Sequence, residues 1–298
     1  MLSIIVPFYN EEKNVSLLYD ELRAVLSDSK YEYKILFVND GSSDNGGREI
    51  EHIKKNDTHV MLLTHRRRLG KGTALHTGLD NAKGEVIVFM DADLQDDPRD
   101  LPAFLQKIDE GYDFVNGIRI DRRDNFMIKT YSRIARLFLN IFLRSPFTDI
   151  NCGFKAFKRE VLDEVSLYGN NFRFFPLAAS YKGFKATEIP VHNRARKYGR
   201  SKFGIGKLLA GIFDTATAHF LYRFAEKPLH FFGAWGIVFF GTGLIITSYL
   251  AFERIFFNMP LYRRPLLQLG ILLIIIGIQI AMTGILGELI VYVHKKKT

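Results

Sequence analysis

The chain has 298 residues, a formal charge of +9 and one cysteine, Cys152. Its length accommodates one good-sized domain plus an additional module, and a single thiol excludes an internal disulfide and suits a reducing compartment. The positive balance suits an anionic membrane surface or phosphate-bearing substrates. Nucleic acid is the rival reading of that charge, disfavoured by the long apolar stretches near the C-terminus.

Residues 2–7 read as a first strand that begins directly after Met1, with no signal-peptide pattern. Phe8-Tyr9-Asn10-Glu11-Glu12 follows, then an amphipathic helix to about residue 26. A second strand, 34–39, ends in Asp40-Gly41-Ser42-Ser43-Asp44; a helix and a third strand, 59–64, come next. The basic loop Arg66, Arg67, Arg68, Gly70, Lys71, Gly72 resembles a phosphate loop only superficially, because Gly72 stands where Ser or Thr is needed. Arg66, Arg67 and Arg68 are read as a surface loop and left out of the site. After a helix to about residue 82, residues 86–90 form an apolar fourth strand, bounded by Gly84 and a cluster of acids. Residues 114–118 add a later strand with Arg119 at its end.

Strands alternating with helices predict a mostly parallel, doubly wound α/β sheet. In such sheets ligands bind beyond the carboxyl ends of the strands. Three polar clusters fall there: 10–12, 40–44 and 91–95. Asp91 and Asp93, alternating and so pointing the same way, with Gln95 two residues on, suit a hard divalent cation with oxygen ligands. The competing reading is an acidic turn after a strand. The first turn lacks G-x-G-x-x-G, which disfavours a dinucleotide.

Residues 128–143 break the alternation. Lys129, Arg133 and Arg136 share one face of an otherwise apolar helix, expected to lie at a membrane surface rather than in a core. Residues 205–224 are also amphipathic and precede two stretches, 229–252 and 266–293, each long enough to cross a bilayer of roughly 30 Å. Neither contains Lys or Arg, and their one acid, Glu288, is expected to snorkel to the interface. An even number of spans places the N-terminal domain and the tail His294-Lys295-Lys296-Lys297 on the same, cytosolic side. Positive-inside bias agrees modestly, since Arg254, Arg263 and Arg264 occupy the connecting loop. Gly277, Gly284 and Gly287 make self-association through the spans plausible.

The pieces Val6-Pro7-Phe8-Tyr9-Asn10-Glu11, Asn39-Asp40-Gly41-Ser42-Ser43-Asp44 and Asp91-Ala92-Asp93-Leu94-Gln95 closely resemble family-2 glycosyltransferases of the GT-A fold. Asp149 with Cys152-Gly153-Phe154, the segment Arg196-Lys197-Tyr198-Gly199-Arg200-Ser201-Lys202 and the terminal span pair are similar to the polyprenyl-phosphate branch, which includes dolichyl-phosphate mannose synthase and bacteriophage bactoprenol glucosyltransferases. The resemblance implies a cytosolic GT-A domain over residues 1–203, an interfacial helix at 204–228 and a membrane hairpin at 229–298. It implies that Pro7, Tyr9, Glu11 and Asp40 hold the base and ribose of a nucleotide sugar, with Lys71 in the donor-binding set. Asp91 and Asp93, helped by Gln95, would hold Mg²⁺ or Mn²⁺ on the diphosphate. Arg119 and Arg133 match positions that engage the lipid phosphate, and Arg196, Ser201 and Lys202 a segment that closes over phosphates. Asn39 stands where many members have a second Asp; it still accepts hydrogen bonds.

The chemistry agrees with that assignment. A departing diphosphate builds negative charge, which a divalent cation stabilises without proton transfer and which Lys and Arg stabilise further. A phosphate monoester, with a second pKa of about 6, is mostly dianionic at neutral pH. It needs positioning by cations rather than the general base a hydroxyl acceptor requires. Single displacement with inversion is expected, from a nucleotide sugar, UDP-linked in preference, to undecaprenyl or dolichyl phosphate. Two rivals remain: a processive polysaccharide synthase of the same fold, and a non-catalytic nucleotide-sugar-binding membrane scaffold. The former is disfavoured because the only tryptophan, Trp235, lies inside the first span rather than in Q-x-x-R-W.

Overall fold

The computed structural model describes residues 1–27, 29–120, 146–165, 169–194, 217–218, 220–221, 224–262 and 264–296. The chain divides into two compact units, Met1–Thr215 and Ala216–Thr298.

The first unit is built on strands β1 (Leu2–Phe8), β2 (Tyr33–Asn39), β3 (Val60–Thr64), β4 (Val86–Phe89), β5 (Phe114–Ile120), β6 (Lys155–Lys158) and β7 (Ala186–His192). Their order across the sheet is β3-β2-β1-β4-β6-β5-β7. The first four are parallel, as the strand–helix alternation requires. β6 enters antiparallel between β4 and β5, and β7 pairs parallel with β5. All seven residues of β1 are buried, so its apolar run is covered on both faces.

Helices α1 (Glu12–Leu26), α2 (Gly46–Asn56), α3 (Lys71–Asn81) and α4 (Leu101–Asp109) complete this half. Val15, Leu18, Tyr19, Leu22 and Leu26 recur at helical spacing on α1. They join Leu2, Ile4, Val6 and Phe8 of β1 and Phe104 of α4 in one core. The opposite face of β1 meets α3 so closely that a β-carbon on Gly78 would stand 2.3 Å from Ile5 Cγ2. Two further short helices are α5 (Val161–Glu164) and α6 (Phe175–Tyr181). Phe175 packs its ring at 4.9 and 4.7 Å from those of Phe114 and Phe157, an edge-to-face arrangement.

The second unit contains α7 (Pro228–Phe257) and α8 (Pro265–Lys295), both long and apolar enough to cross a membrane. They pack backbone to backbone through glycine, the residue that permits such an approach. A β-carbon on Gly243 would lie 2.6 Å from Gly270 O, and one on Gly277 2.5 Å from Phe240 N. Gly284 and Gly287 face Leu229 and Pro228. The three glycines expected to mediate contacts between copies are therefore seated against α7 of their own chain. Glu288 accepts a hydrogen bond from Leu229 N (3.3 Å), in the first turn of α7, where backbone N–H groups lack helical partners. The predicted amphipathic helix at 128–143 lies outside the described residues, as does most of 205–224.

Candidate active site

The turns after β1 and β2 are laced together. Asn10, held at φ 56, receives a hydrogen bond from Ser43 N on its Oδ1 (2.8 Å) and donates its own N–H to Ser42 Oγ (3.0 Å). Asp44 accepts from Glu12 N (2.9 Å), satisfying the start of α1. Asn39, in the place of a second acid, accepts from Ser42 N (2.8 Å) and so closes its own turn.

Beside these turns lies a cleft of about 180 Å³ lined by Pro7, Phe8, Tyr9, Glu11, Asp40, Arg68, Lys71, Asp91, Ala92 and Asp93. Seven residues singled out from sequence thus meet at one sheet edge: Pro7, Tyr9, Glu11, Asp40, Lys71, Asp91 and Asp93. Gln95, one turn further on, and Arg119 are outside this lining.

Asp40 is turned inward. Its Oδ1 accepts from Leu69 N (2.8 Å) and lies 3.0 Å from His65 Nδ1, and its Oδ2 accepts from Gly70 N (2.9 Å). Only 4% of the residue is exposed. Its carboxylate anchors the basic loop, and His65 ties that anchor to α3 through Thr77 Oγ1 (2.9 Å). The loop in turn delivers two cations. Arg68 lies over the Tyr9 ring at 4.3 Å, a cation–π contact. Lys71, in the first turn of α3, forms an ion pair with Asp91. Arg68, left as surface by the sequence, therefore belongs to the cleft. No sequence signal separates it from Arg66 and Arg67.

β4 ends at Phe89, so Asp91 and Asp93 occupy a turn, not an extended strand. Strand alternation does not account for their convergence on the cleft: both stand in the turn after β4, which continues into Leu94 at φ 59. Asp93 Oδ1 accepts from Gln95 N (3.2 Å), and Gln95 O accepts from Arg194 N (2.8 Å). Arg194 also bridges Asp97 and Glu21, pinning the acidic turn to α1. Burial works to raise the Asp91 pKa, but Lys71, with Arg119 and Lys155, outweighs it and holds the carboxylate below its usual range. Asp96 goes the other way, to about 7, through burial and then the charges of Asp91 and Asp93.

At the end of β5, Arg119 donates Nε and Nη2 to Asp149 at 2.8 and 3.0 Å, a two-pronged pair. Burial opposes the guanidinium charge, yet Asp149 keeps it more firmly protonated than usual. Cys152 is buried, and that burial pushes its thiol up to about 12, so it is an unreactive packing residue. Arg133, Arg196, Ser201 and Lys202 lie outside the described residues.

Among the described residues no three His, Cys, Asp or Glu side chains converge as a self-sufficient metal set. One or two carboxylates are nonetheless enough for an ion such as Mg²⁺, which commonly completes its coordination with water and substrate phosphates.

The sequence matches the glycosyl transferase family 2 model over residues 3–166. Dodecaprenyl-phosphate galacturonate synthase of Rhizobium johnstonii is 29% identical over 294 residues, spanning 97% of this chain and 87% of that protein. Glucosyl-3-phosphoglycerate synthase from Mycobacterium tuberculosis, solved with Mn²⁺, UDP and glucosyl-3-phosphoglycerate, superposes with TM-score 0.59 at 18% identity over 74% of this chain and 79% of its own. Mannosyl-3-phosphoglycerate synthase from Rubrobacter xylanophilus gives TM-score 0.60 at 17% identity over 74% of each chain. Those two structures speak for the fold, which is GT-A as the motifs led one to expect. On its own sequence match and topology, the chain belongs to glycosyl transferase family 2 and is a glycosyltransferase.

Proposed function

We propose that the protein moves one sugar from a nucleotide sugar, UDP-linked, to the phosphate of a membrane polyprenyl phosphate, with inversion. The observation carrying this reading is the meeting of Tyr9, Glu11, Asp91 and Asp93 with the cations Arg68 and Lys71 in one cleft. The name of the Rhizobium relative supports a polyprenyl-phosphate acceptor. The apolar pair α7 and α8 supports an enzyme anchored where that acceptor resides.

Asp91 and Asp93 are the residues that would hold Mg²⁺ or Mn²⁺. The donor set suits it: both groups offer carboxylate oxygen, and Asp91 already faces a cation, the Lys71 ammonium. Such an ion supplies Lewis-acid stabilisation of the departing diphosphate. Lys71 and Arg68 add positive charge on the same side. Tyr9 and Glu11 bind the nucleoside end, while Asp40 acts one step back by fixing the loop that carries Arg68 and Lys71. The acceptor phosphate arrives ionised, so no side chain needs to remove a proton from it. Arg119 and the basic stripe with Arg133 orient it, and Arg196, Ser201 and Lys202 close over the phosphates. The catalytic domain, residues 1–203, faces the cytosol, with 204–228 at the interface and 229–298 as the membrane hairpin.

Incubating purified protein with labelled UDP-sugars, polyprenyl phosphate and Mg²⁺ or Mn²⁺ tests this directly. Organic-extractable label is the expected result. Nucleotide-sugar binding without any extractable label, across a panel of sugars, would leave only a binding protein.

A further inference from the structure

A row of polar side chains crosses three neighbouring strands beneath the loop that carries Asp149. Lys155 of β6 pairs in register with Asn116 of β5, and Asn116 pairs with Glu188 of β7. Residues in register on adjacent strands project from the same face, so a cation, an amide and a carboxylate stand side by side. Asn116 and Lys155 are 0% and 1% exposed. Lys155 Nζ donates to Asn116 Oδ1 (2.7 Å), and Asn116 Nδ2 donates to Glu188 Oε1 (3.0 Å).

The row grips the loop above it at five backbone atoms. Glu188 accepts from Thr148 N (2.7 Å) and Asp149 N (3.2 Å). Asn116 Nδ2 donates to Asp149 O (3.0 Å). Lys155 Nζ donates to Ile150 O (3.2 Å) and Cys152 O (2.5 Å). The three oxygens that accept from the Lys155 ammonium are neutral, and burial pushes its pKa down to about 8. An apolar row would serve packing at lower desolvation cost. The polar one does something packing cannot: it fixes the backbone of Asp149, whose carboxylate takes the Nε and Nη2 edge of Arg119.

We propose that Lys155, Asn116 and Glu188 are positioning residues that, through Asp149, aim the remaining N–H edge of Arg119 at the acceptor phosphate. This rests on the reading of Arg119 as an acceptor-binding residue. The row lies under the 148–152 loop and contributes no side chain to the lining of the donor cleft, so Glu188, at its far end from Lys155, reports on acceptor binding apart from donor binding.

The test is a double-mutant cycle on the full-length enzyme. Glu188→Gln keeps the side chain's size but sets an amide N–H against a backbone N–H; Lys155→Met removes the ammonium. Each is expected to raise the KM for polyprenyl phosphate about 10-fold. In Glu188→Gln, UDP affinity in the presence of Mn²⁺, read by calorimetry, stays within about twofold. Lys155→Met also removes a charge that holds the Asp91 carboxylate ionised and is read by the acceptor KM alone. In an Arg119→Lys background, Glu188→Gln should add less than about twofold, since the pathway it acts through is already cut. A full additive loss in that background, or a parallel fall in UDP affinity in Glu188→Gln, overturns the inference while leaving Arg119 as an acceptor residue. An unchanged acceptor KM in Arg119→Lys overturns the Arg119 reading and the inference with it. Should Lys155→Met fail to fold, Glu188→Gln alone decides the outcome.

Discussion

Gly153 forms the floor beneath Asp91: a β-carbon there would stand 2.5 Å from Asp91 Oδ2 and 2.8 Å from its Cγ. The glycine lies in the Cys152-Gly153-Phe154 piece, just before β6, and its backbone leaves the carboxylate room to reach the cleft. Gly153→Ala should push Asp91 aside, and a misplacement of about 1 Å costs on the order of 10²-fold in turnover. The fold, by contrast, should survive, since overpacking of one methyl costs about 1–3 kcal/mol. Melting temperature and transfer rate measured on the same preparation separate these effects.

Asp93→Asn keeps the shape of the acidic turn but removes a negative oxygen donor. Transfer should fall to background, and the loss should not be recovered at saturating nucleotide sugar. Chelation of the wild-type protein should give the same result, reversible on adding Mn²⁺. Full transfer by a rigorously chelated enzyme would remove the metal from the account above.

Arg68→Ala removes the guanidinium that lies over Tyr9. If Arg68 serves the diphosphate, a charge-assisted hydrogen bond of about 1.5–3 kcal/mol is lost, which weakens UDP binding by about 10- to 100-fold. Uridine, lacking the phosphates, should bind the variant about as well as it binds the wild type. Equal weakening of both ligands would assign Arg68 to the base instead.

Tyr19 on α1 donates its hydroxyl to Asp57 Oδ2 at 2.8 Å. Burial, then Asp57, raises its pKa from 10.0 to about 12. A raised folded-state pKa means that the contribution is complete below pH 10 and disappears as pH rises through about 12. Tyr19→Phe should therefore cost about 1 kcal/mol at pH 8. The gap between variant and wild type should close between pH 10 and 12, as followed by thermal melts across that range. A gap that widens over the interval would contradict the assignment.

Much of the architecture was readable without coordinates, because it is written in short-range patterns. The alternation of apolar strands with amphipathic helices, the acids at the ends of β1, β2 and β4, and the two long apolar segments each depend only on neighbours a few residues apart. The position of Asp91 and Asp93 beyond β4 was legible for that reason, although the stated cause, strand alternation, was not the operating one.

What the chain order concealed depends on contacts between distant segments. Arg68 looks like Arg66 and Arg67 until Asp40 and His65 fold its loop over Tyr9. Lys155, Asn116 and Glu188 become one row only because β6 enters antiparallel between β4 and β5. Gly277, Gly284 and Gly287 suggest an interface in either setting, and only the packing of α8 on α7 assigns them to the hairpin. Periodicity and turn chemistry are local and survive in a linear string. Strand order, register and the direction of a loop side chain come from burial shared among remote segments, which only the folded chain decides.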